Sequence, residues 1–207
     1  MRVCVYGASS EAISDFYKEE IYNLGKKLAE NDIDIVYGGG AQGLMGAVAR
    51  GVYENGGDVM GVSPEFFDVD GVLFKNCSQM IFTHTMRERK TIMEEKGDAF
   101  IMTPGGCGTF EEFFEILTLK QLQRHNKAIV IYNCGGYFDV LLEMIDRSID
   151  QKFSKEATRK LYHVTDNAEE CIKYIKEYVP VVISIKKLRN VEENPFIYDR
   201  IKDKEEI

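Results

Sequence analysis

The sequence predicts an α/β fold, with a parallel sheet covered by helices on both faces. Two observations support this. Short apolar segments alternate with longer segments in which apolar residues recur every three or four positions. Four unusual turns, at residues 7–10, 38–43, 85–90 and 104–112, follow apolar segments, as turns do at the carboxyl edge of a doubly wound sheet. We therefore predict one Rossmann-like domain over residues 1–185 and a charged tail over residues 186–207.

The order of the elements follows from the apolar pattern. Strands are predicted over residues 2–6, 34–37, 59–62, 80–83, 99–103 and 128–132. Helices are predicted over residues 11–31, after residue 43, over 86–96, after residue 110, over 138–149, near 155–160 and over 168–178. Residues 63–76 show no clear period and are predicted to form a loop. The tail is either a frayed terminus or an arm that packs on a second subunit.

The composition of the chain argues against several classes of partner and site. The 207-residue chain has a formal net charge of −8, which argues against nucleic acid and anionic membranes as partners. Its apolar runs stay below the roughly 18 residues of a membrane helix, and its first residues resemble a strand rather than a signal peptide. Five cysteines without paired spacing indicate a reducing compartment, so we predict a cytoplasmic protein. The three histidines lie far apart in the sequence and lack metal-ligand spacing, so we predict no metal site.

The turn at residues 104–112 is the most informative segment. It reads Pro-Gly-Gly-Cys-Gly-Thr-Phe-Glu-Glu between a predicted strand and a predicted helix. Glycines there let backbone N–H groups approach a phosphate at the helix N-terminus. Thr109 and Glu112 also have the spacing of a capping box, which accounts for both residues but not for the glycines. The two interpretations are compatible.

Cys107 lies inside this turn, where a helix N-terminus would lower the pKa of a thiol. A nucleophilic cysteine also needs a base, and no histidine lies close to it in the sequence. We therefore interpret Cys107 as a part of the binding turn rather than as a catalytic group.

The turn at residues 38–43 has the G-x-G-x-x-G spacing of dinucleotide-binding proteins. That fingerprint also expects an acidic residue at the end of the next strand, whereas Asp58 precedes it. Bound NAD or FAD is therefore not favoured. Gly40 and Gly43 either contact a different ligand or permit a tight turn and close helix packing.

Arg89 supplies a basic group at the same edge. Thr85 and Glu88 have capping-box spacing, which starts a helix on which Met86, Arg89 and Met93 share one face. One interpretation is an arginine whose stem is buried and whose head lies in water. The other pairs it with Glu112 as an acid–base pair. Lys90, the next residue, is a further candidate for phosphate.

These motifs resemble those of a known family. Residues 104–112 match the P-G-G-x-G-T-x-x-E pattern of the lonely guy (LOG) proteins, cytokinin-activating phosphoribohydrolases whose bacterial members often carry the older label lysine decarboxylase-like. Residues 86–90 resemble the family's M-x-E-R-K helix start, and residues 38–46 its G-G-G-x-x-G-L-M-G turn. The opening strand and residues 7–10 resemble its first loop. The resemblance covers about residues 1–151.

The resemblance implies roles for individual residues. Arg89 and Glu112 match the catalytic arginine and glutamate. The phosphate-binding loop is matched by Gly105, Gly106, Gly108 and Thr109, and further ligand contacts by Lys90 and Thr118. We add as substrate contacts four residues of the turns at the same edge: Ser9, Gly40, Gly43 and Cys107. The chain departs from the pattern at Arg87, which is often histidine, and between residues 65 and 78, where Asp70 or Gly71 aligns with an acidic substrate contact.

The expected reaction is hydrolysis of the N-glycosidic bond of a purine nucleoside 5′-monophosphate, including N6-modified cytokinin nucleotides, to free base and ribose 5-phosphate. No metal or organic cofactor is expected, and the resemblance implies a homodimer. Two alternatives stay open. One is a nucleotide-binding module without catalysis. The other is a pyridoxal-phosphate decarboxylase, which needs a Schiff-base lysine that the sequence does not reveal.

Overall fold

The computed structural model describes residues 1–69 and 71–180. Asp70 and the predicted tail, with the last residues assigned to the domain, lie outside the described residues. The predicted sheet is confirmed and its strands are all parallel. The strands are β1 (Arg2–Tyr6), β2 (Asp34–Tyr37), β3 (Val59–Pro64), β4 (Gln79–Thr83), β5 (Ala99–Met102), β6 (Ala128–Tyr132) and β7 (His163–Thr165).

Helices connect the strands. They are α1 (Asp15–Ala29), α2 (Gly43–Glu54), α3 (Met86–Lys96), α4 (Cys107–Gln121), α5 (Asp139–Asp150) and α6 (Ala168–Glu177). Short 3₁₀ turns cover Glu65–Phe67, Cys134–Gly136 and Glu156–Lys160. Within residues 1–69 and 71–180, no helix combines the length and apolar composition needed to cross a bilayer.

The strand order is β4-β3-β2-β1-β5-β6-β7. The chain adds strands on one side of β1 up to β4 and then crosses to its other side with β5. In open α/β sheets, ligands bind at such a reversal, outside the carboxyl ends of the strands. Here the reversal lies between β1 and β5, where Tyr6 is paired with Met102.

The core has two layers, one on each face of the sheet. In β1, Val3 and Val5 belong to the layer under α1, α2 and α6, whereas Cys4 and Tyr6 belong to the layer under α3, α4 and α5. This alternation follows from the period of two along a strand. Since both faces are covered, every residue of β5 and β6 is buried, and the helices are held rigidly with their N-termini at the carboxyl edge.

The structure tests the two predicted capping boxes. The box at Thr85 is confirmed, because its hydroxyl accepts from the N–H of Glu88 and the Glu88 carboxylate accepts from the N–H of Thr85. The box at Thr109 is wrong. Helix α4 begins earlier, at Cys107, so Thr109 is already its third residue and no side chain caps the helix.

Candidate active site

A cavity of about 530 Å³ opens at the carboxyl edge of the sheet. All four turns that the sequence places at this edge contribute to its wall, which confirms their convergence. The wall residues are Gly7, Ala8, Ser9, Ser10, Gly38, Gly40, Gln42, Met45, Ser63, Phe67, Val72, Leu73, Met86, Arg89, Gly106, Gly108, Thr109 and Glu112. The charged residues of the wall, Arg89 and Glu112, come from α3 and α4.

Arg89 and Glu112 form a buried ion pair in the cavity wall. Arg89 Nη1 lies 3.4 Å from Glu112 Oε1, and Arg89 Nε donates to the carbonyl of Val62 at 3.0 Å. Only 9% of the Arg89 side chain and 11% of the Glu112 side chain are exposed. The alternative in which the arginine head lies in water is therefore wrong, because the head is enclosed and bonded on two sides.

Gly38 makes room for this arginine. A Cβ at position 38 would lie 2.0 Å from Arg89 Nη2, far closer than atoms can approach. The first glycine of the G-x-G-x-x-G motif thus has a steric role here that differs from its role in dinucleotide binding. It lets the end of β2 pass directly beside the guanidinium.

Burial raises the pKa of Glu112 from 4.5 to about 7, and the opposing attraction of Arg89 only partly offsets this. Nearby Glu111 raises the pKa of Glu112 further. At neutral pH the carboxyl group therefore exists in both forms. A group with a pKa near the working pH is well suited to accept and return a proton during a reaction.

The N-terminus of α4 forms part of the cavity wall. Its first helical hydrogen bond runs from the N–H of Phe110 to the carbonyl of Gly106, at 3.0 Å. The N–H groups of Cys107, Gly108 and Thr109 precede that bond and form the positive end of the helix dipole. Gly106, Gly108 and Thr109 line the cavity. A phosphate there would meet backbone N–H groups within the same cavity as Glu112.

The N-terminus of α2 is different, because the three N–H groups before its first helical hydrogen bond already donate to the protein itself. That of Gly43 donates to Glu11 Oε1 at 2.8 Å, and those of Leu44 and Met45 donate to the carbonyl of Ala8 at 2.9 and 3.2 Å. The first helical hydrogen bond follows, from the N–H of Gly46 to the carbonyl of Gln42 at 2.9 Å. The Glu11 carboxylate occupies the position that a dinucleotide pyrophosphate would need.

This arrangement bears on two predicted contacts. The N–H of Gly43 already donates to Glu11, and its contact with a ligand stays a prediction. Gly40 lies in the cavity wall and forms an isolated antiparallel bridge with Leu73. Through this bridge, residues 71–74 close one side of the cavity. Ser9 also lies in the wall, as part of the first loop.

Besides Gly105, three other predicted contacts lie outside the wall. Lys90 Nζ lies 2.7 Å from Glu115 and also pairs with Glu111, so two carboxylates face its charge. Thr118 is exposed farther along α4, and the thiol of Cys107 is free on an exposed residue. None of the three lines the described cavity, and their ligand contacts stay predictions.

Sequence reasoning missed several wall residues. Ser63, Phe67, Val72 and Leu73 belong to a segment that shows no period. The signal for Ser63 was its position at the carboxyl end of β3, the criterion that identified the other turns. The proposed acidic contact at Asp70 lies outside the described residues.

We expect Gly105→Ala to lower the free energy of unfolding by about 1–3 kcal/mol, the usual cost of overpacking. A Cβ at Gly105 would lie 2.1 Å from Thr109 Oγ1 and 2.6 Å from Thr109 Cβ. Gly108→Ala is the matched control, because a Cβ there meets nothing within 4 Å. Urea unfolding of both variants measures the difference. Equal stability of the two would show that the turn is not sterically constrained.

Comparison with known proteins agrees with this picture. The family model described as possible lysine decarboxylase matches residues 45–175. The cytokinin riboside 5′-monophosphate phosphoribohydrolase LOG2 of Arabidopsis thaliana is 36% identical over 179 residues, which are 86% of this chain and 84% of that protein. The enzyme LOG of Oryza sativa subsp. japonica is 37% identical over 179 residues, or 86% of this chain and 74% of that protein.

Solved structures share the fold at lower identity. The molybdenum cofactor carrier protein of Chlamydomonas reinhardtii superposes with a TM-score of 0.64 at 20% identity, covering 85% of this chain and 96% of that chain. The molybdenum cofactor binding protein of Rippkaea orientalis gives 0.63 at 19% identity, covering 84% and 93%. At such identities the similarity shows the fold alone.

Proposed function

This chain belongs to the lonely guy (LOG) family, and from that premise we propose that it hydrolyses the N-glycosidic bond of purine nucleoside 5′-monophosphates. The products are the free base and ribose 5-phosphate. One observation carries the proposal: a buried carboxyl group with a pKa of about 7 lies against an arginine in the cavity that also receives the N-terminus of α4.

The 5′-phosphate binds at the N-terminus of α4 in this proposal. The N–H groups of Gly108 and Thr109 and the helix dipole there favour a dianion. The N-terminus of α2 does not compete, because Glu11 already occupies it. Holding the phosphate at one end of the cavity restricts the ribose to positions over Glu112, one turn along the same helix.

Glu112 then acts at the anomeric carbon. As the C1′–N9 bond breaks, its electron pair moves to the base, and positive charge develops on the ribose. The ionised carboxylate stabilises that charge and accepts a proton from the attacking water as the new C1′–O bond forms. The proton finally passes to the departing base. Arg89 holds the carboxylate in place and favours its ionised form.

The part of the cavity wall that lies outside α4 has apolar side chains that would suit a flat, apolar leaving group. Phe67, Val72, Leu73 and Met86 lie in the wall, and such side chains suit a purine ring and an apolar N6 substituent. This supports both AMP and an N6-prenylated nucleotide as substrates, in line with the names of the relatives.

The decarboxylase label does not fit the cavity. A pyridoxal-phosphate enzyme needs a lysine beside the cofactor for the Schiff base, and the wall of this cavity, in the part of the chain that the structure describes, contains no lysine. We therefore derive no step through that cofactor. A binding module without catalysis leaves the buried Arg89–Glu112 pair without a role.

The test is to incubate the protein with AMP, GMP, CMP and isopentenyl-AMP and to measure free base and ribose 5-phosphate. We expect release from the purine nucleotides and much less from CMP. The ratio of AMP to isopentenyl-AMP turnover decides the N6 preference. Binding of AMP without any release of adenine would contradict the proposal and support the binding module.

The pH profile gives a further expectation. Since the reactive form of Glu112 is the carboxylate and burial raises its pKa to about 7, kcat/KM should rise with pH and level off above an apparent pKa of about 7. Initial rates at low substrate between about pH 5.5 and 8.5 measure this. A rate that falls as pH rises through neutrality would show that the protonated acid is the working form.

A further inference from the structure

Tyr137 contacts the glycine turn that precedes α4. Its hydroxyl donates to the carbonyl of Gly105 at 2.7 Å. Tyr137 lies in the turn after β6, the strand next to β5, and does not belong to the cavity wall. No motif in the sequence points to it, because it is 32 residues away from its partner.

The ring of Tyr137 is held firmly enough to fix this bond. It packs edge-to-face against Phe138, with centroids 5.0 Å apart, and against Tyr17 of α1, at 5.9 Å. Phe138 is fully buried, and its N–H donates to the Asn133 side chain at 2.7 Å. Although 42% of Tyr137 is exposed, its ring packs on these two aromatic neighbours, and its hydroxyl is partly buried where it donates to Gly105.

The bond determines where the next N–H points. The carbonyl of Gly105 and the N–H of Gly106 belong to one planar trans peptide and point in opposite directions. A donor that holds the carbonyl outside the cavity thus directs the N–H of Gly106 to the opposite side, and Gly106 lines the cavity. Without that donor, the peptide between Gly105 and Gly106 loses a hydrogen bond that helps to fix its rotation.

We propose that Tyr137 is a positioning residue for phosphate binding, which aims the N–H of Gly106 at the anion held by α4. The turn is constrained from both sides. Thr109, which lines the cavity, packs against Gly105, where a Cβ would lie 2.1 Å from Thr109 Oγ1. Tyr137, which does not line the cavity, donates to the Gly105 carbonyl. The inference rests on the proposed function, because that function supplies its ligand, a sugar phosphate. It does not require that the protein turns this class of ligand over.

The test compares two probes, ribose 5-phosphate and adenosine, by calorimetric titration. Tyr137→Phe keeps the ring and removes the hydroxyl. We expect its Kd for ribose 5-phosphate to rise by about three- to tenfold, the range of one neutral hydrogen bond, with its Kd for adenosine unchanged. Turnover of AMP should show the same rise in KM with little change in kcat.

Tyr22→Phe is the matched control. It removes a hydroxyl that donates to Glu54 at 2.7 Å, between α1 and α2 and outside the cavity wall, and should alter neither Kd. The Gly106 amide resonance adds a local readout. Its shift on addition of ribose 5-phosphate should be large in the unmodified protein and reduced in Tyr137→Phe.

Each outcome is decisive. If Tyr137→Phe binds ribose 5-phosphate as the unmodified protein does, or loses affinity for adenosine in parallel, the inference is overturned. Failure of the unmodified protein to bind ribose 5-phosphate overturns it as well. If the unmodified protein binds that probe but releases no base from AMP, the proposed function fails while this inference is still decided by the titrations.

Should Tyr137→Phe not fold, Tyr17→Leu replaces it. That change removes one edge contact from the Tyr137 ring and leaves the hydroxyl in place. We expect weaker binding of ribose 5-phosphate alone, by a smaller factor than for the hydroxyl deletion. Unchanged binding of this probe would overturn the inference.

Discussion

We expect Glu112→Gln to lower kcat for AMP by about 1,000-fold or more, since it removes both the proton acceptor and the negative charge that opposes the developing cation. Binding should persist within a few-fold, because the amide has nearly the shape of the carboxyl group and the N-terminus of α4 is untouched. Adenine release in rapid-mixing assays and calorimetric titration of AMP measure the two quantities separately. A variant that keeps its rate would reduce Glu112 to a structural residue.

A stability measurement controls for misfolding. Burial raises the pKa of Glu112 from 4.5 to about 7 in the folded protein, so the folded state binds more protons than the unfolded state between those values. This group therefore removes stability as pH rises from about 4.5 to 7, by about 3 kcal/mol in total. Glutamine does not ionise, so the variant should be at least as stable as the unmodified protein at about pH 8.

Arg89→Met should lower kcat/KM at neutral pH by about 100-fold and displace the pH profile toward higher pH. Arg89 is the main group that lowers the pKa of Glu112. Without it, the buried carboxyl group becomes a weaker acid, and less of it is ionised at pH 7. Part of the lost activity should return on raising the pH. Initial rates across the pH range, fitted for the apparent pKa, measure the displacement.

Arg87→Met is the matched control for this experiment. Arg87 lies on the same helix but is exposed, so its removal should leave the midpoint of the profile in place. The substrate phosphate also titrates, near pH 6, but equally in all variants. A loss of activity in Arg89→Met with an unmoved midpoint would mean that the arginine acts on the substrate alone and does not govern Glu112.

Much of the fold follows from local pattern. The six predicted strands lie where the structure has them, because each is a short apolar run between turn residues. β7 was missed, since its three residues, His163–Thr165, are too few to show a period. The strand order is not visible in the sequence either, because it depends on which side of β1 each crossover packs.

The misplaced helix starts have a common cause in long-range contacts. Helix α1 begins at Asp15 rather than at Glu11, whose side chain binds the N–H of Gly43. Helix α4 begins at Cys107, two residues before the predicted cap, and the turn before it is held by a tyrosine from a distant element, Tyr137. Such partners are far away along the chain, so no local pattern reports them.

The candidate site likewise has features that the sequence predicts and features that it does not. Arg89 and Glu112 were predicted as a pair from helix periodicity and from their positions at one edge, and the ion pair is present. The acidic surroundings of Lys90 were not foreseen, because they depend on how α3 packs against α4. Periodicity shows which face of a helix a residue occupies, but not what faces it from the next helix.

The bond from Glu11 to Gly43 has a consequence for ligand affinity. It ties the first loop, which brings Ser9 and Ser10 into the cavity wall, to the N-terminus of α2. Because this bond forms when the protein folds, the entropy lost on ordering the loop is part of the free energy of folding rather than of ligand binding. We therefore expect a ligand of this cavity to lose less affinity to loop ordering than it would beside an untethered loop.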